Sequence, residues 1–114
     1  MSGDHRATQG RLAEDLAARL IEARGGKVEA RNVRVGRGEV DLVARLGGQR
    51  VVVEVRSVSS PGGPIEADPL AAFDHAKAIQ VRRLARDLGC RRVDLIAVRF
   101  DRAGVDLHWV ADAA

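Results

Sequence analysis

The chain has 114 residues, 46% apolar and 31% charged, a balance that suits one folded domain over 1–114 and excludes a disordered chain. No apolar run reaches the ~20 residues of a membrane span, and the charged start Met1–Arg6 has no apolar stretch behind it, so neither a membrane helix nor a secretory signal is expected. Basic residues outnumber acidic ones by 19 to 16, and the single Cys90 rules out an internal disulfide and suits a reducing cytoplasm.

The spacing of Leu12, Ala13, Leu16, Ala17, Leu20 and Ile21 predicts an amphipathic helix over 8–24, with Thr8 as N-cap and Gly25-Gly26 as its stop. Residues 27–34 read as an edge strand. Two further strands follow at 38–45 and 49–57, and Gly47-Gly48 between them suits a type I′ hairpin turn. Val51, Val53 and Val55 then share one face while Val52, Glu54 and Arg56 share the other, which marks a central strand covered on both sides. Residues 58–69 are expected as a loop and 70–88 as a second helix, with Leu70, Phe73, Ala76, Lys77, Val81, Leu84, Ala85 and Leu88 near one stripe. Gly89 ends it. Strands over 92–100 and 105–110 complete the order αβββαββ, an α/β domain with a central mixed sheet flanked by helices and an ordered core over about 8–110.

The hairpin carries acids where a buried strand should be apolar. In the Gly47-Gly48 register, paired residue numbers sum to 95, which places Asp41 opposite Glu54 and Glu39 opposite Arg56. Two like charges facing each other are destabilising, and more so when desolvated. A cation between them relieves this. Carboxylate oxygens are the donors that Mg²⁺ and Mn²⁺ prefer, with phosphate and water filling the remaining positions. Glu14 is the acid of the first helix nearest its apolar stripe, and so the one best placed to reach the rim of the sheet.

These residues resemble a known family. Gly10 and Glu14, Arg31-Asn32, Gly38-Glu39-Val40-Asp41-Leu42-Val43-Ala44, Val53-Glu54-Val55-Arg56, Gly63-Pro64-Ile65-Glu66, Lys77 and Val93-Asp94-Leu95 look like the YraN-type family of uncharacterised bacterial proteins with a restriction-endonuclease-like fold. At Glu14, Asp41 and Glu54 the chain is also similar to archaeal Holliday-junction resolvases. The resemblance runs from about residue 8 to residue 110. It implies metal-dependent hydrolysis of DNA, with structured or branched substrates and, by analogy, a homodimer. Asp41 and Glu54 would hold Mg²⁺ or Mn²⁺ with the Val55 carbonyl, and Glu14 would join directly or through water. The metal would polarise the phosphate and activate a water.

The chain departs from that pattern at Arg56, where such nucleases carry a lysine. Arginine stays protonated and cannot act as a general base, although it can steady a pentavalent phosphate. Two readings stay open: an endonuclease using Arg56 as a charge clamp, and a nucleic-acid-binding module that keeps the fold without turnover. A protein-interaction domain is a weaker third. Lys77, Arg82 and Arg83 are the candidate phosphate contacts, with Lys77 equally readable as an aliphatic stem laid over the sheet. Glu39 is either a further acid of the site or the salt-bridge partner of Arg56, and Asp94 is either a ligand or part of an ion pair. Scarce aromatics disfavour a base-stacking platform.

Overall fold

The computed structural model describes residues 2–59 and 73–114, with residues 2–7 and Ser59 described by backbone only. The elements are α1 (Ser2–Ala23), β1 (Lys27–Val35), β2 (Gly38–Leu46), β3 (Gln49–Ser59), α2 (His75–Asp87), β4 (Arg92–Asp101) and β5 (Gly104–Val110). They form a five-stranded sheet in spatial order β1-β2-β3-β4-β5. Only the β3–β4 contact is parallel; the other three are antiparallel. The order αβββαββ and the mixed sheet are those expected for the restriction-endonuclease-like resemblance.

The helix boundaries differ from the expected ones. α1 begins at Ser2, so Thr8 lies inside it and is no N-cap. Its end follows the glycine rule: Gly25 N–H bonds to Glu22 C=O and Gly26 N–H to Ile21 C=O, with Gly25 at φ +88°. That is a Schellman cap, which satisfies carbonyls the helix leaves open. α2 starts at His75, not at residue 70. Asp74 caps it by accepting from the Lys77 backbone N–H at 2.8 Å. The proposed loop at 58–69 is corrected at its start, since Val58 and Ser59 still belong to β3. Its remainder, and Leu70 of the expected helix stripe, lie outside the described residues. Ala76 is exposed on α2 and takes no part in the apolar face.

The sheet is covered on both faces. On one, Ala13, Ala17 and Ile21 of α1 pack with Leu42, Ala44, Val51, Val53, Val55, Ile96 and Val98. On the other, Val81, Leu84 and Ala85 of α2 pack with Val40, Val43, Val52, Val93 and Leu95. The alternation read for β3 is therefore as expected. Each fully buried Val or Leu contributes roughly 1.5–3 kcal/mol, which is the main force holding the layers together.

Gly38 has a packing reason. A Cβ there would meet Leu84 Cδ1 at 2.7 Å and Cδ2 at 2.8 Å, so α2 lies directly over the start of β2. At the start of β4 Asp94, fully buried, ties the C-terminus to the sheet. Its carboxylate accepts from Arg92 Nε and Nη2 (both 2.7 Å), Trp109 Nε1 (2.9 Å) and Asp112 N (2.9 Å). Burial pushes this carboxyl up, but Arg92, the Asp112 amide and Trp109 outweigh it and hold it below the usual carboxylate range. Asp94 is thus the centre of an ion pair and not a member of the hairpin acids.

Gly38→Ala should cost about 1–3 kcal/mol in urea unfolding by overpacking against Leu84. Combining it with Leu84→Ala should give less than the sum of the two single losses, because the truncated side chain makes room for the methyl. Asp94→Ala should lose about 3–5 kcal/mol, since Arg92 keeps its charge without its partner.

Candidate functional site

The hairpin follows its predicted register from the turn inward. Gly47 and Gly48 both have positive φ (+55° and +83°), as a type I′ turn requires, and the pairs run from Leu46↔Gln49 to Leu42↔Val53. There the ladder stops, one residue short of Asp41 and Glu54. The expected direct opposition of these acids is therefore corrected. The strands part, and side chains take over the backbone's hydrogen bonds. Asp41 Oδ2 accepts from Val55 N at 2.8 Å, and Asp41 N donates weakly to Glu54 Oε1 at 3.4 Å.

The cause lies in β1 and β2 together. Leu42 and Ala44 pack on the α1 side and Val43 on the α2 side, as alternation demands. Continued alternation would turn Val40 toward α1, yet it packs on the α2 side with Val43. Ala30 and Val33 of β1 repeat the same slip. Both slips fall between the pairs Arg31↔Leu42 and Val33↔Val40, at Asp41 and at Asn32, whose φ is +51°. The acid that breaks the pattern is thus at the point where β2 changes face.

Glu54 is 2% exposed although it is a carboxylate. Burial, and then the Asp41 charge, push its pKa from the ordinary 4.5 to about 7, against the pull of Lys77. Lys77 is half-buried on α2, four residues before Val81, on the stripe that packs over the Glu54 face of β3. Its charge is therefore felt inside the site. Glu14, half-buried on α1, is also pushed up, by burial first and then by Asp41 and Glu39, with Asn32 and Arg31 pulling back. The charge of Asp41 is thus felt at Glu14 from across the sheet.

Other assignments change. Glu39 sits opposite Arg34 of β1, and among the described residues it forms no ion pair with Arg56. Arg56 is half-buried, with its Nε buried and without a hydrogen-bond partner among the described residues. Arg82 donates from Nη2 to the Ala114 carbonyl, and Arg83 is exposed; neither shares the inner stripe of Lys77. Asn32, part of the family pattern in the sequence but without a role there, is the residue that the structure adds. With its amide nitrogen facing the acids, it reaches Glu14 Oε1 and Glu39 Oε1, each at 3.2 Å.

The rest of the hairpin shows how this protein neutralises facing like charges when it does so itself. Arg45 and Arg50 lie directly opposite each other, and Glu29 accepts from both, at 3.4 and 3.2 Å. Among the described residues, no ion pair engages Glu14, Glu39, Asp41 or Glu54. Asp41 Oδ1 and Glu54 Oε2 accept no hydrogen bond there either. The donors present are hard oxygens, which fit Mg²⁺ or Mn²⁺. Among the described residues no three acidic, His or Cys side chains gather into a cage. A cation held by Asp41 and Glu54 would therefore complete its shell with water and phosphate oxygens, the usual habit of Mg²⁺.

An α/β sheet protein with a pair of acids where two central strands part is the class these features define. The chain belongs to the uncharacterised protein family UPF0102, the YraN-type family, whose model matches residues 13–102. A UPF0102 protein of Halorhodospira halophila is 38% identical over 110 residues, covering 92% of this chain and 85% of its own length. One from Solibacter usitatus is 45% identical over 103 residues, covering 87% and 75%. Among solved structures, SfsA of Pyrococcus furiosus in complex with Ca²⁺ aligns with a TM-score of 0.44 at 13% identity. That alignment covers 90% of this chain and 63% of SfsA. A likeness this loose transfers no property.

Glu54 makes stability depend on pH. Between about pH 4.5 and pH 7 the folded chain keeps a proton that the unfolded chain has released, so stability falls as pH rises through that window. The loss attributable to Glu54 is about 3 kcal/mol. In metal-free buffer Glu54→Gln should therefore be more stable than wild type at about pH 8, with the difference shrinking toward about pH 4.5. Thermal unfolding across this range checks it; parallel curves would show that Glu54 titrates normally.

Proposed function

We propose that this protein is a Mg²⁺- or Mn²⁺-dependent endonuclease acting on DNA of structured or branched form. The observation that carries this reading is the uncompensated pair Asp41 and Glu54 at the parting of β2 and β3. A buried carboxylate beside another, with no cation bonded to either among the described residues, is a site whose charge balance a ligand from outside would complete. A bound divalent ion would supply Lewis-acid activation of the phosphate and of a water.

The chain's own groups have distinct tasks in this reading. Asp41, fixed by the Val55 amide, and Glu54, fixed by burial, hold the ion with little reorganisation. Glu14 orients a water from the α1 side. Arg56 and Lys77 bracket the Glu54 face and steady the extra negative charge of a pentavalent phosphate. The arginine surplus, with Arg83 exposed on α2, supports contact with a polyanion. Arg82 extends that contact once it exchanges the Ala114 carbonyl for phosphate. Cuts on two strands need two sites, which a homodimer supplies. No described helix is long and apolar enough to cross a membrane; the cytoplasm, where substrate DNA is found, is the proposed location.

Arg56 favours a second reading, a DNA-binding module of the same fold without turnover, because no lysine follows Glu54 at the motif position. The two readings separate in one assay. Incubated with Mn²⁺ and junction or flap DNA, the nuclease cuts, and Asp41→Ala or Glu54→Ala lowers cutting at least about 100-fold while the fold survives by circular dichroism. Arg56→Lys should raise the rate if arginine limits turnover. Salt-dependent binding without cleavage by any of these proteins would establish the module instead.

A further inference from the structure

Asn32 is the chain's single asparagine and stands in an exposed strand, where asparagine is ordinarily unfavourable. Its φ of +51° is a left-handed conformation that β-branched strand formers resist and asparagine tolerates. The conformation has a consequence. It lies at the slip between Ala30 and Val33, across β1 and β2 from Asp41, and with the amide turned so that its nitrogen meets acceptors, that nitrogen is 3.2 Å from both Glu14 Oε1 and Glu39 Oε1. One NH₂ group has two hydrogens, one for each carboxylate.

We infer that Asn32 is a positioning residue: its carboxamide yokes Glu14 of α1 to Glu39 of β2 and holds Glu14 at the rim, where it would reach a divalent cation on Asp41 and Glu54 through water. The yoke rests on the carboxylate-pair reading above and adds to it how the third acid is held. Left alone, two acids at a solvent-facing rim repel and turn outward, so Glu14 would have no fixed distance from Asp41. An arginine there would fix them and cancel their charge. The neighbouring Arg31 is instead drawn off to Asp15 on the exposed side of α1. A neutral amide organises both carboxylates and leaves the negative charge intact, as attraction of a cation requires. The Asn32 amide thus does for Glu14 what partners outside the ligand shell do for metal ligands elsewhere.

The yoke is tested first without metal. As the only asparagine side chain, Asn32 gives one assignable NH₂ pair in a ¹⁵N-correlated NMR spectrum. Glu14→Ala and Glu39→Ala should each move one proton of that pair and leave the other nearer its place; a pair that responds to neither variant overturns the yoke. The second measurement is Mn²⁺ binding followed by electron paramagnetic resonance. Asn32→Gly keeps the left-handed backbone and should leave the unfolding midpoint unchanged while weakening Mn²⁺ affinity about ten-fold. Equal affinity in the two proteins overturns the positioning role. A wild-type protein that binds no Mn²⁺ overturns the carboxylate-pair reading and the purpose of the yoke with it, whereas the NMR result judges the hydrogen bonds separately.

Discussion

Everything specific about this site depends on one substituted hydrogen bond: the Val55 amide is satisfied by the Asp41 carboxylate where a neighbouring strand's carbonyl would ordinarily serve. Buried backbone donors must find an acceptor, so the ladder between β2 and β3 can end at Leu42 and Val53 without penalty only because Asp41 is there. The strands then part in the middle of the sheet and not at its edge, where both cores meet. Val53 and Val55 are anchored on the α1 side and Val52 on the α2 side, so Glu54 between them has no freedom to swing into water.

The two like-charged pairs of the hairpin show opposite solutions to one electrostatic problem. Near the turn, Arg45 and Arg50 share Glu29, are exposed, and need nothing from outside. At the far end, the acids are buried or half-buried and accept from the backbone amides of Val55 and Asp41, with Lys77 acting through its field. Burial raises the cost of a bare charge steeply, so the acidic end accepts a penalty that the basic end avoids. Such local destabilisation is common where a site must bind a charged ligand.

The buried Arg56 Nε belongs to the same account. A desolvated donor without an acceptor among the described residues costs free energy, and it sits on the strand that carries Glu54. Lys77 approaches that strand from the helix above. The cationic groups near the acids are therefore divided between a strand arginine and a helix lysine, and the acids among β2, β3 and α1. Neither polarity is carried by one element alone, so the site depends on the whole sandwich being assembled.

Periodicity and turn chemistry made much of this legible in the sequence. The valine alternation of β3, the Gly47-Gly48 turn and the Gly25-Gly26 stop each follow from local rules, and the register they impose brings Asp41 near Glu54. Asp74 is legible as a cap by its residue type, although the apolar stripe alone points to an earlier start. What local rules could not show is where a ladder stops. The change of face at Asn32 and Asp41 arises because α1 and α2 compete for the apolar residues of β1 and β2, a contest decided by packing between distant segments. The elements, their order and the acids of the hairpin are written in the chain, because those depend on neighbours along it. That the acids meet across a parted ladder, that Glu39 leaves Arg56, and that Asn32 reaches Glu14 emerges on folding, because those depend on which faces are buried together.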